Sequence, residues 1–205
     1  MPDVVLFLRK RLILIGILVV FVLYKSPHLY LPWYWDESWP YAAAIRSMCD
    51  NGIGLMPQNI HPDLSRGHPL LFHAFAASWM KVFGSSYVAM HSFSLCVAVV
   101  LLVVVYENVQ RLFGNIAATT ATALIAVTEG FIVQSSAVML EVPFALLCLL
   151  SLFSYVRGQL IATFIWVSAL LLVKESGFVL WALLGITSFL GVFNGTERKK
   201  SVQMC

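Results

Sequence analysis

The sequence predicts an all-α polytopic membrane protein with about six transmembrane helices and one long exterior loop. Of its 205 residues, 60% are apolar and 11% are charged, whereas roughly a quarter of the residues in soluble domains are charged. The apolar residues gather in runs of a length suited to a bilayer, whose hydrocarbon core is ~30 Å thick. Most basic residues stand at the ends of these runs and form no stripe that could track phosphates, which argues against nucleic-acid binding.

The first predicted span covers residues 12–24 and follows the basic cluster Arg9-Lys10-Arg11. A basic start before a short apolar run is also typical of a signal peptide. The residues that follow, Tyr24-Lys25-Ser26-Pro27-His28, contain no A-x-A-like cleavage site. We therefore expect an uncleaved anchor with its N-terminus in the cytoplasm.

An exterior loop is predicted over residues 25–86, because prolines and the pair Asn51-Gly52 punctuate its first part. Residues 38–51 are expected to form a short helix that ends at this pair. Residues 68–83 have a proline in the first helical turn and stop at Gly84, which leaves about 14 residues, or roughly 21 Å of helix. That length suits a helix lying in the membrane interface better than one that crosses the membrane.

Five further spans are predicted at residues 87–106, 116–133, 142–156, 160–173 and 178–193. If residues 68–83 stay outside, the ends of the spans alternate so that Arg111, Arg157 and the basic cluster at 198–200 share the side of the N-terminus. Cytoplasmic loops are enriched in lysine and arginine, so this side is predicted to be cytoplasmic. Residues 1–205 then form a single transmembrane domain with both termini in the cytoplasm.

Polar groups that are unusual in so apolar a chain collect on the exterior side of this topology. They are Asp36-Glu37, Arg66-Gly67-His68, Glu129, Glu141 and Lys174-Glu175. Charged residues at membrane depth are functional hypotheses by default. Because both basic and acidic side chains are present, the basic ones could bind an anionic lipid head group and the acidic ones could act as base toward a nucleophile.

Most of these groups also have a purely structural interpretation. A carboxylate at Glu141, before a proline, is favoured at a helix start by the helix dipole. Lys174 can reach the interface from a turn, Glu129 suits a solvated helix end, and His68 suits the start of a helix. The other histidines and the cysteines show no metal-ligand spacing and no C-x-x-C pair, so we assign them no role; they are His28, His61, His73, His91, Cys49, Cys96, Cys148 and Cys205.

The adjacent pair Asp36-Glu37 is the exception among the polar groups. Two carboxylates directly after an apolar span carry a desolvation cost that ordinary packing does not require. A carboxylate in this place can act as general base toward an acceptor hydroxyl or amine. We therefore predict Asp36 and Glu37 as catalytic residues, with Asp36 as the base and Glu37 in support.

Five motifs, in this order, resemble those of the dolichyl-phosphate-mannose protein mannosyltransferase-like proteins, which form glycosyltransferase family 39 in the GT-C superfamily. They are Trp35-Asp36-Glu37, Arg66-Gly67-His68-Pro69-Leu70, Leu112-Phe113-Gly114, Met139-Leu140-Glu141-Val142-Pro143-Phe144 and Val173-Lys174-Glu175-Ser176-Gly177. Members of the family are longer and have further spans. The resemblance therefore implies that the chain is the N-terminal half of a GT-C module.

The resemblance implies a membrane glycosyltransferase that moves a sugar, with inversion, from a polyprenyl-phosphate-linked donor to a lipid, glycan or protein acceptor on the exterior face. Asp36 is similar to the family's catalytic acidic residue, and Glu141 to its second acidic motif. Arg66, His68 and Lys174 are implied to bind the donor phosphate, and His68 and Glu141 are the candidate ligands of a divalent metal ion. The implied location is the bacterial inner membrane, or the endoplasmic reticulum in a eukaryote.

The competing hypothesis is a non-catalytic membrane protein, truncated or degenerate, that binds a lipid-phosphate head group or partner helices. The short chain favours it, whereas the intact Asp36-Glu37 and Glu141 count against it. A transporter would need polar residues near the bilayer midplane. Spans two to six are nearly uncharged in their interiors, so transport is the least favoured of the three hypotheses.

Overall fold

The computed structural model describes residues 2–64 and 67–193, and within these ranges the chain is helical and forms no β-strand. The α-helices are α1 (Pro2–Lys25), α2 (Ala43–Asn51), α3 (Leu71–Phe83), α4 (Tyr87–Val127), α5 (Glu129–Gln134), α6 (Glu141–Val156), α7 (Leu160–Val173) and α8 (Gly177–Phe193). Short 3-10 turns lie between α1 and α3. The predicted all-α class is confirmed.

The long helix α4 is broken at Gly114, where φ is 85°. Glycine adopts this left-handed conformation without the steric cost that a Cβ atom would bring. Before the break, α4 runs antiparallel to α1: Arg11 pairs with Glu107 at 3.0 Å, and the ring of His91 lies 3.0 Å from the carbonyl oxygen of Leu29.

After the break, α4 runs parallel to α1. Leu14 and Ala118 belong to one apolar cluster, and at the other end of α1 the Nζ atom of Lys25 donates a hydrogen bond to the carbonyl oxygen of Ile132 at 2.8 Å. The chain therefore reverses direction at Gly114. The predicted boundary between spans two and three lies at this residue.

The last three helices continue the alternation of direction. The segment before α6 lies beside Glu37, which accepts a hydrogen bond from the Val138 N–H. The far end of α6 lies beside the first arm of α4, where Arg157 donates to Asn108. Helix α7 then returns and brings Lys174 against the start of α6. Helix α8 runs back beside α6.

Two helices in the described ranges are long and apolar enough to cross a membrane: the segment Arg11–Tyr30 around α1, and α4. Helices α6, α7 and α8 are apolar but shorter. Because the two arms of α4 run in opposite directions, six apolar segments alternate in direction along the bundle. The number of six membrane spans stays a prediction.

Helix α3 lies across one end of the bundle. Phe72 and Trp79, two turns apart, both contact Phe93 near the start of α4, with ring centroids 6.2 Å and 5.8 Å apart. The indole N–H of Trp79 also donates to the Ala89 carbonyl at 2.8 Å. Helix α3 therefore contacts α4 near its first turns, and its location in a membrane interface stays a prediction.

Two helices differ in extent from the sequence prediction. Helix α1 begins at Pro2, ahead of the predicted span, because proline is tolerated at a first helical position and no glycine interrupts the chain before Gly16. Helix α2 begins later than predicted, since Ser38–Ala42 form a wider π-type turn with an extended residue, Trp39, inside it. The predicted end at Asn51 is confirmed.

Candidate active site

The turn that carries the two adjacent carboxylates has a strained backbone. Trp35–Glu37 form a single 3-10 turn in which Trp35 has a φ of 49°. A bulky side chain in the left-handed region costs about 1–3 kcal/mol and persists where the surrounding structure enforces it, which happens most often at functional sites. The hydroxyl of Ser38 donates to the Trp35 carbonyl at 2.8 Å and helps to hold the turn. Asp36 is therefore presented by a backbone fixed on both sides.

Glu37 is buried and accepts hydrogen bonds from three parts of the chain. Its Oε1 accepts from the Val138 N–H at 2.7 Å and contacts Nε2 of His91 at 2.9 Å. Its Oε2 accepts from the Tyr34 N–H at 3.3 Å. A buried carboxylate needs this many partners to offset its lost hydration. Glu37 thus ties the loop after α1 to α4 and to the segment before α6.

The hydrogen bonds of His91 define the protons that this pair holds. The Leu29 carbonyl only accepts, so the Nδ1 atom that contacts it carries a hydrogen. The contact between Nε2 and Glu37 then requires one further proton on the pair. This shared hydrogen bond and the Val138 N–H both converge on Oε1, which fixes the carboxyl group in place.

Asp36 lines a cavity of about 430 Å³ at this end of the bundle. We call it the Asp36 cavity; its walls are Lys25, His28, Leu31, Pro32, Tyr34, Trp35, Asp36, Glu37, His91, Ile132, Val133, Ser136, Ala137 and Met139. Most of these side chains are apolar or aromatic, and a few polar groups face the same space. Ligand sites commonly have this composition.

Lys25 is the last residue of α1 and is only 2% exposed. Its ammonium donates to the Ile132 carbonyl at 2.8 Å. A cation at the C-terminal end of a helix is stabilised by the helix dipole. His28, one turn further on, lines the same cavity, and its ring Nδ1 lies 3.2 Å from the Tyr24 carbonyl oxygen.

A second group of charged side chains lies between the starts of α3 and α6 and the end of α7. We call it the Glu141–Glu175 cluster; it consists of His68, Glu141, Lys174 and Glu175. Lys174 pairs with Glu141 at 3.6 Å, and His68 contacts Glu175 at 2.8 Å. The hydrogen bond from His68 lowers the pKa of the Glu175 carboxyl below its usual range. These side chains are 22% to 60% exposed.

His73, on α3, lies next to this cluster. Its ring contacts those of Tyr41 and Phe72. Burial lowers the pKa of the His73 imidazole to about 4, and the nearby His68 adds to the effect. His73 is therefore neutral at physiological pH.

The predicted site residues fall into these two places. Asp36 and Glu37 face the cavity, whereas His68, Glu141 and Lys174 lie in the cluster. The segment at 138–141 joins the two, since Val138 bonds Glu37 and Glu141 pairs with Lys174. Two predicted features, Arg66 and the basic cluster at 198–200, lie outside the described residues. Glu129 is exposed at the start of α5, as a solvated helix end.

The described residues do not fit a metal site built on His68 and Glu141. Each of the two candidates is engaged by a different neighbour, His68 by Glu175 and Glu141 by Lys174. Across residues 2–64 and 67–193, no three His, Cys, Asp or Glu side chains come together as a ligand set. We therefore derive no chemistry through a metal ion.

Two residues of the site, His91 and Lys25, received no role in the sequence analysis. His91 lies 54 residues from Glu37 in the chain, and no local motif links them. The available signal was topological, because the first turns of the predicted second span lie on the same side as Asp36-Glu37. Lys25 stands at the end of the first span, where a lysine ordinarily suggests only an interface anchor.

Comparison with protein-family models identifies the family of this chain. The model described as dolichyl-phosphate-mannose-protein mannosyltransferase matches residues 67–201, which is more than half of the chain. The matched range includes the whole Glu141–Glu175 cluster and begins after Asp36. No curated protein and no solved structure matches the chain. The predicted resemblance is confirmed, and the chain belongs to the dolichyl-phosphate-mannose-protein mannosyltransferase family, whose members are membrane glycosyltransferases of the GT-C type.

Proposed function

We propose that this protein transfers a sugar from a polyprenyl-phosphate-linked donor to an acceptor, with Asp36 as the general base. The observation that carries the proposal is the Asp36 cavity. The half-buried carboxylate of Asp36 faces a largely apolar space. The turn that carries it contains the strained Trp35 and is held by the three hydrogen bonds of Glu37. Groups that are fixed in place in this way favour proton transfer and charge stabilisation.

In the proposed reaction, the acceptor hydroxyl or amine gives its proton to Asp36 and attacks the anomeric carbon of the donor sugar. The bond between that carbon and the phosphate oxygen breaks, and the lipid phosphate leaves with the electron pair. Attack opposite the leaving group inverts the anomeric configuration. Cationic side chains near the phosphate offset the charge that grows on it.

Glu141 supports the reaction from the neighbouring cluster. Its Oε1 pairs with Lys174, while its Oε2 is buried and has no hydrogen-bond partner among the described residues. A buried carboxylate oxygen without a donor is costly. A sugar or acceptor hydroxyl that donates to this oxygen would remove that cost, and we assign Glu141 this substrate-binding role.

We propose a six-span topology in which the Asp36 cavity opens on the exterior or luminal face. The six apolar segments alternate in direction, and Arg11 and Arg157 lie at the opposite end of the bundle, beside the reversal of α4. Cytoplasmic segments are enriched in such residues. Both termini would then lie in the cytoplasm, and residues 25–86 would form the exterior loop.

The experiment that tests the function measures consumption of a polyprenyl-phosphate sugar by membranes that carry the protein. Asp36→Asn should lower turnover by about 10²- to 10⁴-fold, the usual contribution of a general base, with the protein present at its normal level. Turnover at the wild-type rate in this variant would remove Asp36 as the base. Binding of the donor without transfer by the unaltered protein would select the non-catalytic alternative.

A further inference from the structure

We infer that Lys25 binds the phosphate group of a lipid-linked ligand inside the Asp36 cavity. This inference rests on the proposed function, in which the donor is a polyprenyl-phosphate sugar. The sequence resemblance implied this role for Lys174, Arg66 and His68. In the structure, the wall of the cavity that holds Asp36 includes Lys25 and none of the described residues that the resemblance named for this role. The ligand class is a phosphate ester attached to a long apolar chain.

The state of the ammonium group points to an anionic ligand. A lysine ammonium has three N–H donors, and one of them bonds the Ile132 carbonyl. The structure records no carboxylate partner for Lys25 among the residues at 2–64 and 67–193, and the nearby Glu37 is already engaged by three donors. A buried cation without an anion costs several kcal/mol. A phosphate in the cavity would supply the missing charge and accept the remaining donors.

Lys174 is less suited to a phosphate beside Asp36. Its ammonium pairs with Glu141 at 3.6 Å and lies 6.0 Å from the ring centroid of Phe144. It does not line the Asp36 cavity. A phosphate at Lys174 would have to displace an existing carboxylate partner. At Lys25 it would accept the hydrogen bonds of N–H donors that have no carboxylate partner among the described residues.

An apolar groove next to Lys25 offers a binding place for the apolar chain of the ligand. This groove, of about 490 Å³, runs between α1 and the second arm of α4 and is lined by apolar side chains that include Val20, Phe21 and Ala126. It extends to Tyr24, the residue before Lys25, and to Ile132, whose carbonyl holds the ammonium. A chain in the groove would thus place its head group at Lys25. This continuity favours a lipid-linked phosphate over the free ion.

The test measures binding without turnover. Purified full-length protein in detergent is titrated with farnesyl phosphate, farnesol or inorganic phosphate, and the shift of its thermal unfolding midpoint gives the affinity. We expect farnesyl phosphate to bind more tightly than farnesol, and inorganic phosphate to produce little shift. Lys25→Met should weaken farnesyl phosphate about ten- to a hundredfold, the loss of a charge-assisted hydrogen bond, and leave farnesol unchanged. Lys25→Arg should retain most of the preference.

Lys81→Met, exposed on α3, is the matched control and should keep the preference for the phosphate. Lys174→Met tests the rival position and should keep the preference as well. Equal affinities of Lys25→Met and the wild type for farnesyl phosphate would overturn the inference, as would loss of the preference in Lys174→Met alone. If inorganic phosphate shifted the unfolding midpoint as much as farnesyl phosphate does, the claim that the groove binds the apolar chain would be overturned. Phosphate-dependent binding without sugar transfer would instead contradict the proposed function and leave the role of Lys25 in place.

If Lys25→Met does not fold, alkylation of Ser136→Cys on the cavity wall provides a second measurement with Lys25 intact. Farnesyl phosphate should slow this alkylation more than farnesol does. Equal slowing by the two compounds would show that the phosphate does not enter the cavity, and would overturn the inference.

Discussion

The Asp36 cavity and the Glu141–Glu175 cluster use similar side chains in opposite ways. In the cavity, Lys25, Glu37 and His91 are 2% to 7% exposed and bond to backbone groups of distant segments. In the cluster, the ion pairs join side chains that are 22% to 60% exposed. Buried charges need fixed partners because desolvation costs several kcal/mol each, while exposed pairs contribute about 0–1 kcal/mol. The side chains of the cavity are therefore held more rigidly, whereas those of the cluster can exchange partners more easily.

The largest effect is expected from His91→Ala, which removes one partner of a buried pair. Removing one partner of a buried pair typically costs about 3–5 kcal/mol of unfolding free energy, because Glu37 then stays buried without its side-chain partner. Unfolding of the purified protein in detergent, followed by circular dichroism, measures this loss. The matched control is His28→Ala, a histidine on the same cavity with one local backbone contact. Equal stabilities of the two variants would show that the buried pair of His91 and Glu37 contributes no more than a local backbone contact, and would contradict the rigidity assigned to the cavity.

The next effect concerns His73, the buried group that borders the cluster. Its imidazole has a folded pKa of about 4 and an unfolded pKa of about 6.5, so the unfolded state binds the extra proton between these values. Stability is complete above pH 6.5 and falls as the pH is lowered toward 4, by about 3 kcal/mol at most. Replacement of His73 by phenylalanine should flatten this part of the curve of unfolding free energy against pH. An unchanged slope would exclude His73 as its source.

The smallest effect is expected from Lys174→Met, which breaks the pair with Glu141. Both partners are partly exposed, so the unfolding free energy should fall by less than about 1 kcal/mol. The same denaturation assay measures it, with the exposed Lys81→Met on α3 as the control for loss of a charge. A loss as large as that of His91→Ala would mean that the cluster is as rigid as the cavity.

The sequence led to the correct class of fold and to several positions, for reasons that are local. Apolar runs predicted the helices, Asn51-Gly52 and Gly84 marked helix ends, and Gly114 lies where the chain reverses. Lysine and arginine placement then put Asp36 and Glu141 at the same end of the bundle. The structure joins them through the short segment before α6.

The bonds that build the cavity could not be predicted from the sequence, because they link residues far apart in the chain. The contact between Glu37 and His91 spans 54 residues, and that between Lys25 and Ile132 spans 107. The contact of Lys25 also depends on the reversal at Gly114, which brings the second arm of α4 and the residues after it back beside α1. Glu37 therefore received an undefined supporting role from the sequence, and Lys25 received none.

A thiol placed in the Asp36 cavity tests most directly whether sugar transfer occurs there. Ala137→Cys, in a chain whose native cysteines are replaced by serine, is treated with a membrane-impermeant alkylating reagent, and sugar transfer is then measured. We expect the reagent to react from the exterior side, a polyprenyl-phosphate sugar to slow the reaction, and alkylation to abolish transfer. Ser78→Cys, exposed on α3, should react at a donor-independent rate and keep transfer. A donor-independent reaction at Ala137→Cys with transfer intact would contradict the claim that this cavity is the site of the reaction.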